Sequence, residues 1–483
     1  MTKFLNKYAL RLLLLALFPV LTFSCFDDND DELATGDVIK SFIYRGMNEL
    51  YLYKADVPEL ADGFYASDDE LQAAFNQFDT PEEYFNSLLF QPGQVDRFSF
   101  LVDNYIALEQ AFQGVSTTNG VEFGLVRYPN APTQVFGYIR YILPGTDAEA
   151  QGLMRGMIFN TVDGVQLDEN NFSSLLAPDT YTLGFADFDG TNVTPNGQST
   201  TLTKQPYTEN PILIADVINQ GANRIGYLMY NSFVSNFDGA LNDVFADFQA
   251  ANITHLVLDL RYNGGGSVSS AVQLSSSVYG TNTTEIFSTL EFNEEYQMFF
   301  EENDPDRLVN TFVGVTTDGD LLTRLNLDKV FVLTSGRTAS ASELVINGLT
   351  PYIDVVQIGT ASTGKFQGSF TLYDSANFGR EGANPSHTYA LQPLVFRTLN
   401  ANGNTDFPGG LIPDIELAED FTNLGQLGDV NEPLLAAALD NIMNGGVPPS
   451  GRRMELETIS GSTEMKPTYG IMVDEDVILR EDR

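Results

Sequence analysis

The sequence predicts a layered α/β protein with a largely parallel central sheet, joined on its N-terminal side to a small β-rich domain and a helical domain. Three observations predict it. Residues 206–445 alternate short apolar strands with helices, residues 113–205 run as short strands and turns, and residues 35–112 set apolar side chains at helical spacing. A length of 483 residues accommodates several such units, and 43% hydrophobic residues is enough to fill their cores.

Composition narrows the chemistry. The chain carries 25 Lys+Arg against 65 Asp+Glu, a net charge of −40 that repels phosphate backbones and excludes nucleic acid as a partner. One Cys rules out an intramolecular disulfide or a cysteine-rich metal cluster, and two His leave little for a zinc site. The sequence calls for no cofactor and no metal. Catalysis would run on hydroxyls, carboxylates, lysine and backbone dipoles.

The first 24 residues read as a signal peptide. Lys3, Lys7 and Arg11 precede an apolar run from Leu12 to Phe23, which is too short to span a bilayer but suits an export signal. Thr22-Phe23-Ser24-Cys25 resembles a bacterial lipoprotein signal, cleaved before a Cys25 that is then lipidated. That resemblance implies a membrane anchor and a place in the cell envelope, as an outer-membrane or surface lipoprotein. An ordinary signal peptide with a buried Cys is the alternative. Residues 25–34, with Asp27, Asp28, Asp30, Asp31 and Glu32, read as a solvated acidic tether.

Residues 35–112 place Ile39, Phe42, Ile43, Met47 and Leu50 on one helical face. Thr80-Pro81-Glu82-Glu83 spells a helix start, with Thr80 as cap and Glu83 at the box position. This helical domain shows no chemistry of its own. Strands follow at Val121–Tyr128 and Val135–Ile142, then Leu143-Pro144-Gly145, a short Ala-containing helix ending at Gly152-Leu153, Arg155-Gly156-Met157-Ile158 and Val162-Asp163-Gly164-Val165. The order resembles a PDZ domain of the kind inserted in bacterial processing proteases, with Met157 where Asp is usual. The resemblance implies that an extended peptide adds to a sheet edge, and it puts Phe123, Gly124 and Leu125 at that loop and edge. A plain structural β domain is the alternative.

In residues 206–445 the strands are Ile225–Tyr230, Leu256–Leu260, Val330–Leu333 and Val355–Ile358, and the helices Ala240–Ala250, Ser269–Tyr279 and Ser340–Leu349. In parallel sheets, sites form beyond the C-terminal strand ends. There the sequence has Arg261-Tyr262-Asn263-Gly264-Gly265-Gly266, Thr334-Ser335-Gly336 and a Gly-rich turn at Lys365. The excursion at 281–328 reads as a lid or a spacer, and residues 446–483 as a linker and an unassigned tail.

Three readings compete for Lys365. Gly359-x4-Gly364-Lys365 nearly spells a phosphate-binding loop, but Phe366 replaces the magnesium-holding hydroxyl and a strand follows instead of a helix. Ser362-Thr363-Gly364-Lys365 spells S-x-x-K, which needs a helix that Gly364 disfavours. The third pairs Lys365 with Ser340, at a strand–turn–helix junction where the helix N-terminus offers free amides to an oxyanion. Lysine acts as a base only if burial lowers its pKa. The structural alternative makes Ser340-x-x-Glu343 a capping box, the glycines a tight turn and Lys365 a surface charge.

Taken together, Leu258-Asp259-Leu260-Arg261-Tyr262-Asn263-Gly264-Gly265-Gly266, Thr338-Ala339-Ser340-Ala341-Ser342-Glu343, Gly364-Lys365 and Pro413-Asp414 resemble the S41 family. These are the C-terminal processing (tail-specific) peptidases, with a layered ClpP/crotonase-like core. The resemblance implies Ser340 as nucleophile, Lys365 as general base, and the amides of Ala341 and of Gly265 or Gly266 as oxyanion hole. A Gln four residues after the lysine often orients it. Here that position is Ser369, with Gln367 two residues earlier, so either residue is the candidate. The implied activity is that of an exported serine-type endopeptidase acting on peptides or unfolded protein tails. A catalytically degenerate, peptide-binding surface lipoprotein is the alternative that the missing Gln motivates, and an acyl hydrolase of esters is a third.

Overall fold

A computed structural model of the protein describes residues 35–280, 282–446 and 456–474. The signal segment, the acidic tether with Cys25, and the linker at 447–455 lie outside the described residues. The mixed α/β fold is centred on a six-stranded sheet. Its order is Ile212–Gln220, Asn223–Tyr230, His255–Asp259, Lys329–Thr334, Asp354–Gly359 and Ile415–Glu416. The first two strands form an antiparallel hairpin, and every later pair is parallel. Leu256, Val257 and Leu258 are buried on both faces, as their uninterrupted apolar run requires. Helices Val268–Val278 and Ala341–Leu349 cover one face together with Asp238–Ala250, and Pro433–Asn444 covers the other.

The N-terminal segment is helical as its spacing predicts. Helix Gly36–Leu50 buries Ile39, Phe42, Ile43, Met47 and Leu50. Helix Pro81–Ser87 starts at Thr80, whose Oγ1 accepts the Glu83 amide at 3.2 Å while the Glu83 carboxylate takes the Asp79 amide at 2.9 Å. The same segment contributes a strand that helical spacing does not announce, Phe100–Val102, paired with Ala390–Gln392. Its apolar face shares one hydrophobic cluster with the central helices, because helices this short cannot enclose a core alone.

The β-rich domain orders its strands Val121–Tyr128, Ala131–Ile142, Ile158–Val162, Thr180–Phe188 and Val193–Thr203. The 281–328 excursion is part of a second six-stranded sheet, through Ile286–Phe292 and Val309–Thr311. The tail left unassigned by sequence also folds. Thr458–Gly461 pairs with Val121–Tyr128, and Met472–Val473 is inserted in the second sheet between Gly266–Ser267 and Gln367–Ser369. Neither strand carries enough apolar pattern to be read, since each is short and defined by its pairing partners.

A buried ionic cluster joins the β-rich domain to the core. The Arg261 guanidinium donates to Asp259 at 2.8 and 3.0 Å and to Glu432 at 2.6 and 2.9 Å, and Tyr227 Oη donates to Asp259 at 2.8 Å. Arg155, from the β-rich domain, donates to Glu419 and to Tyr262 Oη, each at 2.7 Å, and Tyr262 donates on to Glu419 at 2.5 Å. Burial would push the Glu419 carboxyl up, but Arg155 and Arg261 hold it down at about 2. Removing one partner strands the others in a dry interior. Arg261→Met is therefore expected to cost about 3–5 kcal/mol in a denaturant melt, since it leaves Asp259 and Glu432 buried without their cation.

Candidate active site

Three adjacent parallel strands deliver the site. His255–Asp259 ends at the glycine turn, Lys329–Thr334 at the Ser340 turn and Asp354–Gly359 at the Lys365 turn. All three turns leave the C-terminal edge of the sheet, where the strand pattern places them. Gly265 and Gly266 have φ of 108° and 135°, and a methyl group on Gly266 would fall 2.1 Å from the Phe233 carbonyl oxygen. Only glycine fits both the angle and the approach.

Ser340 precedes helix Ala341–Leu349 with φ 63° and ψ −115°. A non-glycine residue held there is strained, and such strain is stored at functional turns. Ser340 is fully buried, and its Oγ has no hydrogen-bond partner. Glu343 does serve Ser340 as in a capping box, taking its amide at 2.8 Å, but the hydroxyl is left free for other chemistry.

Glu343 does more than cap. Its Oε2 also accepts the Lys365 amide at 2.8 Å, while Oε1 accepts the Gly364 amide at 2.6 Å and the Ser362 hydroxyl at 2.5 Å. One oxygen thus holds the Ser340 and Lys365 backbone nitrogens within about 5.6 Å of each other, the most that two 2.8 Å contacts to a shared atom allow. Burial pushes the Glu343 carboxyl up, against the opposing pull of Ser362 and the three amides. The Thr363 amide donates to the Thr338 carbonyl at 2.9 Å and the Ala339 amide to the Asn263 carbonyl at 3.0 Å, so the three turns form one hydrogen-bonded unit.

Lys365 is buried and, among the described residues, makes no salt bridge. Burial lowers its ammonium to about 7, although Glu343 and Asp96 pull the other way. The lid on it comes from the N-terminal segment. The Phe98 ring lies 5.4 Å from Lys365 Nζ, and Arg97 Nη2 donates to the Gly364 carbonyl at 2.5 Å. Helical spacing gave no sign of this role, because residues 96–98 act through a loop.

The other candidates fall as follows. Ala341 is the first residue of the helix, so its amide faces no intrahelical acceptor. The Gly265 amide donates to Asn263 Oδ1 at 2.9 Å, and the Gly266 amide to the Ile471 carbonyl at 2.7 Å. Gln367 donates its amide nitrogen to Tyr53 Oη at 2.9 Å, and its Oε1 has no partner. Ser369 is buried and pairs through its backbone with Leu394 and Val473. Phe123, Gly124 and Leu125 sit within a strand instead of a loop. Their edge is already filled by residues 458–461, with the Phe123 amide donating to Ser462 Oγ at 2.8 Å.

Residues 224–417 match peptidase family S41, and residues 38–100 match the peptidase S41 N-terminal domain, together more than half of the chain. The chain belongs to peptidase family S41. An S41 relationship also appears in a solved structure, that of a Bacteroides fragilis protein described as an S41 protease. It is 26% identical, with a TM-score of 0.64, over 84% of this chain and 97% of that one. Among curated proteins, the chain is 28% identical over 144 residues to the chloroplastic C-terminal processing peptidase of Tetradesmus obliquus, covering 27% of this chain and 31% of that protein. It is 24% identical over 177 residues to carboxyl-terminal-processing peptidase 2, chloroplastic, of Arabidopsis thaliana, covering 35% and 33%. The chain thus spans about a third of the length of the curated relatives it matches. The N-terminal match coincides with the segment that covers Lys365.

The lysine's environment has a thermodynamic signature. Between about 7 and the ordinary 10.5, an unfolded Lys365 holds a proton that the folded one does not. Stability therefore rises with pH across that window, and the cost of burying the group is largest below it. Lys365→Met is expected to raise the melting temperature at pH 7 by more than at pH 10, read by calorimetry at the two pH values.

Proposed function

We propose that the protein is a serine-type peptidase that cleaves peptides or unfolded protein tails through an acyl-enzyme at Ser340, with Lys365 as general base. The observation that carries this reading is a buried lysine with its ammonium lowered to about 7, tied through Glu343 to a strained serine whose hydroxyl is unpaired. The family match supports it.

In this reading, neutral Lys365 takes the proton from Ser340 Oγ as the oxygen attacks the carbonyl carbon of the scissile peptide. The amides of Ala341 and of the glycine turn stabilise the oxyanion, aided by the positive end of the Ala341–Leu349 helix. The carbon–nitrogen bond breaks, and Lys365 gives its proton to the leaving amine. Water then attacks the ester with Lys365 again taking the proton, which returns to Ser340. Asn263 already occupies the Gly265 amide, so Gly266 is the donor best free to serve once Ile471 is displaced.

A second reading, a peptide-binding protein without turnover, draws on one observation. The Gln367 amide is bonded to Tyr53 instead of orienting the lysine. The two readings part on one measurement. Wild-type protein is expected to label at Ser340 with a fluorophosphonate and to hydrolyse peptides, while Ser340→Ala and Lys365→Ala each lose at least about 10³-fold in kcat/KM. Full activity in both variants would sink the dyad. Because the base must be neutral, kcat/KM is expected to climb as pH rises through about 7 and to level off above it.

The peptidase is also proposed to be exported and anchored in the cell envelope through Cys25, with the acidic segment after it as tether. The basic start, the short apolar run and the single Cys support this. Cys25→Ser is expected to abolish incorporation of labelled palmitate and to release the protein from the membrane fraction.

A further inference from the structure

The tail runs from the edge of the β-rich domain to the glycine turn beside Ser340. Thr458–Gly461 lies antiparallel on Val121–Tyr128, adding a strand to the β-rich domain. Thirteen residues after Thr458, the Ile471 carbonyl accepts the Gly266 amide at 2.7 Å, and Met472 and Val473 run parallel to Gly266 and Ser267. A methyl group built on Gly265 would lie 2.5 Å from the Ile471 oxygen and 2.7 Å from Ser340 Cβ, so that oxygen is within about 5.2 Å of the nucleophile's Cβ. A carbonyl bonded to a glycine-turn amide beside the serine is where a scissile carbonyl belongs.

Between these ends, Glu464 is held by two arginines from different parts of the protein. Arg140, in the β-rich domain, donates to it at 2.9 and 3.1 Å, and Arg337, three residues before Ser340, donates at 2.6 Å. Arg140 is fully buried and Arg337 nearly so. Burial would push the Glu464 carboxyl up, but the two guanidiniums hold it down at about 2. A paired guanidinium cradle of this kind is built for a carboxylate. Without Glu464 its two cations would face each other with no anion between them. Beside it, Asn231 lines a cavity of about 90 Å³ between the glycine turn and Lys466–Tyr469, and its buried carboxamide has no partner at either polar atom.

We propose that residues 456–474 occupy the groove as a substrate-like ligand, and that Arg140 and Arg337 form a carboxylate subsite. The subsite selects extended peptides that carry an acidic residue seven positions before the residue at the glycine turn. The proposal rests on the peptidase reading for its groove, but binding tests it without turnover.

The test uses the full chain carrying Ser340→Ala, so that nothing is cut, and a fluorescent synthetic peptide with the sequence of residues 456–474. In the parent, the tethered tail competes. In Ser340→Ala/Glu464→Gln, the tail loses its charge and the peptide keeps its own, so the peptide is expected to bind at least roughly tenfold tighter. A peptide with Gln in place of that glutamate is expected to lose this gain. Equal binding in both proteins, or equal binding of both peptides, overturns the proposal. If Glu464→Gln fails to fold by circular dichroism, Gly461→Val takes its place. Its side chain would fall 2.5 Å from Arg140 Nη2 and 2.6 Å from the Phe123 carbonyl oxygen, forcing the tail off by shape alone. If the Ser340→Ala proteins bind the peptide as expected while the wild-type protein neither labels at Ser340 nor turns over peptides, the peptidase reading is refuted and the subsite stands.

Discussion

One carboxylate organises the candidate active-site edge of the central sheet. Glu343 receives hydrogen bonds from Ser340, Ser362, Gly364 and Lys365, which come from two turns that share no sequence neighbourhood. Charge-assisted bonds of this length are short and directional, so they fix the relative place of the two backbones more firmly than side-chain packing would. The same carboxylate resists desolvation only through these donors. Losing any of them weakens the hold on the rest, and the serine turn, already strained at φ 63°, would then rely on its backbone bonds to the two neighbouring turns.

The sheet and the three turns were legible because their signals are local. Uninterrupted apolar runs mark buried parallel strands, and Gly and Ser clusters mark the turns at their ends. Ser340, Lys365 and the glycine turn come together for that reason. Glu343 was legible only as a cap, since a capping box and a clamp on a distant turn look alike in sequence. Asp96, Arg97 and Phe98 were not legible at all, because they act through a loop with no period. The tail strands were missed for a related cause. Their pairing depends on edges supplied from more than 100 residues away, and two to four residues carry no pattern that can be read. The strand at 123–125, expected to take a peptide, is paired in this structure with residues 458–461 of the same chain.

The proposed lysine base suits a chain with two histidines, and the environment of Lys365 shows what such a base requires. A His base would titrate near neutrality by itself, whereas Lys365 must be kept dry to reach about 7. The N-terminal segment supplies that dryness with an aromatic face and a loop bonded to Gly364. Removing this cover would restore water to the ammonium and with it the ordinary proton affinity. The helical segment that showed no chemistry of its own thus sets the protonation of Lys365, the base in the proposed reading.

The cluster around Arg155 and Arg261 bears on how ligands exchange. A domain fastened by buried, fully hydrogen-bonded charges does not swing cheaply, and salt screens such bonds far less than it screens surface pairs. The two walls of the groove therefore behave as a fixed frame. In the proposed reading, what exchanges is the narrow strap laid between them; Met472 is buried in the main core between two strands, so its release is a local unfolding that begins at the Thr458–Gly461 end. Peptide entry would then follow local unfolding instead of hinge closure.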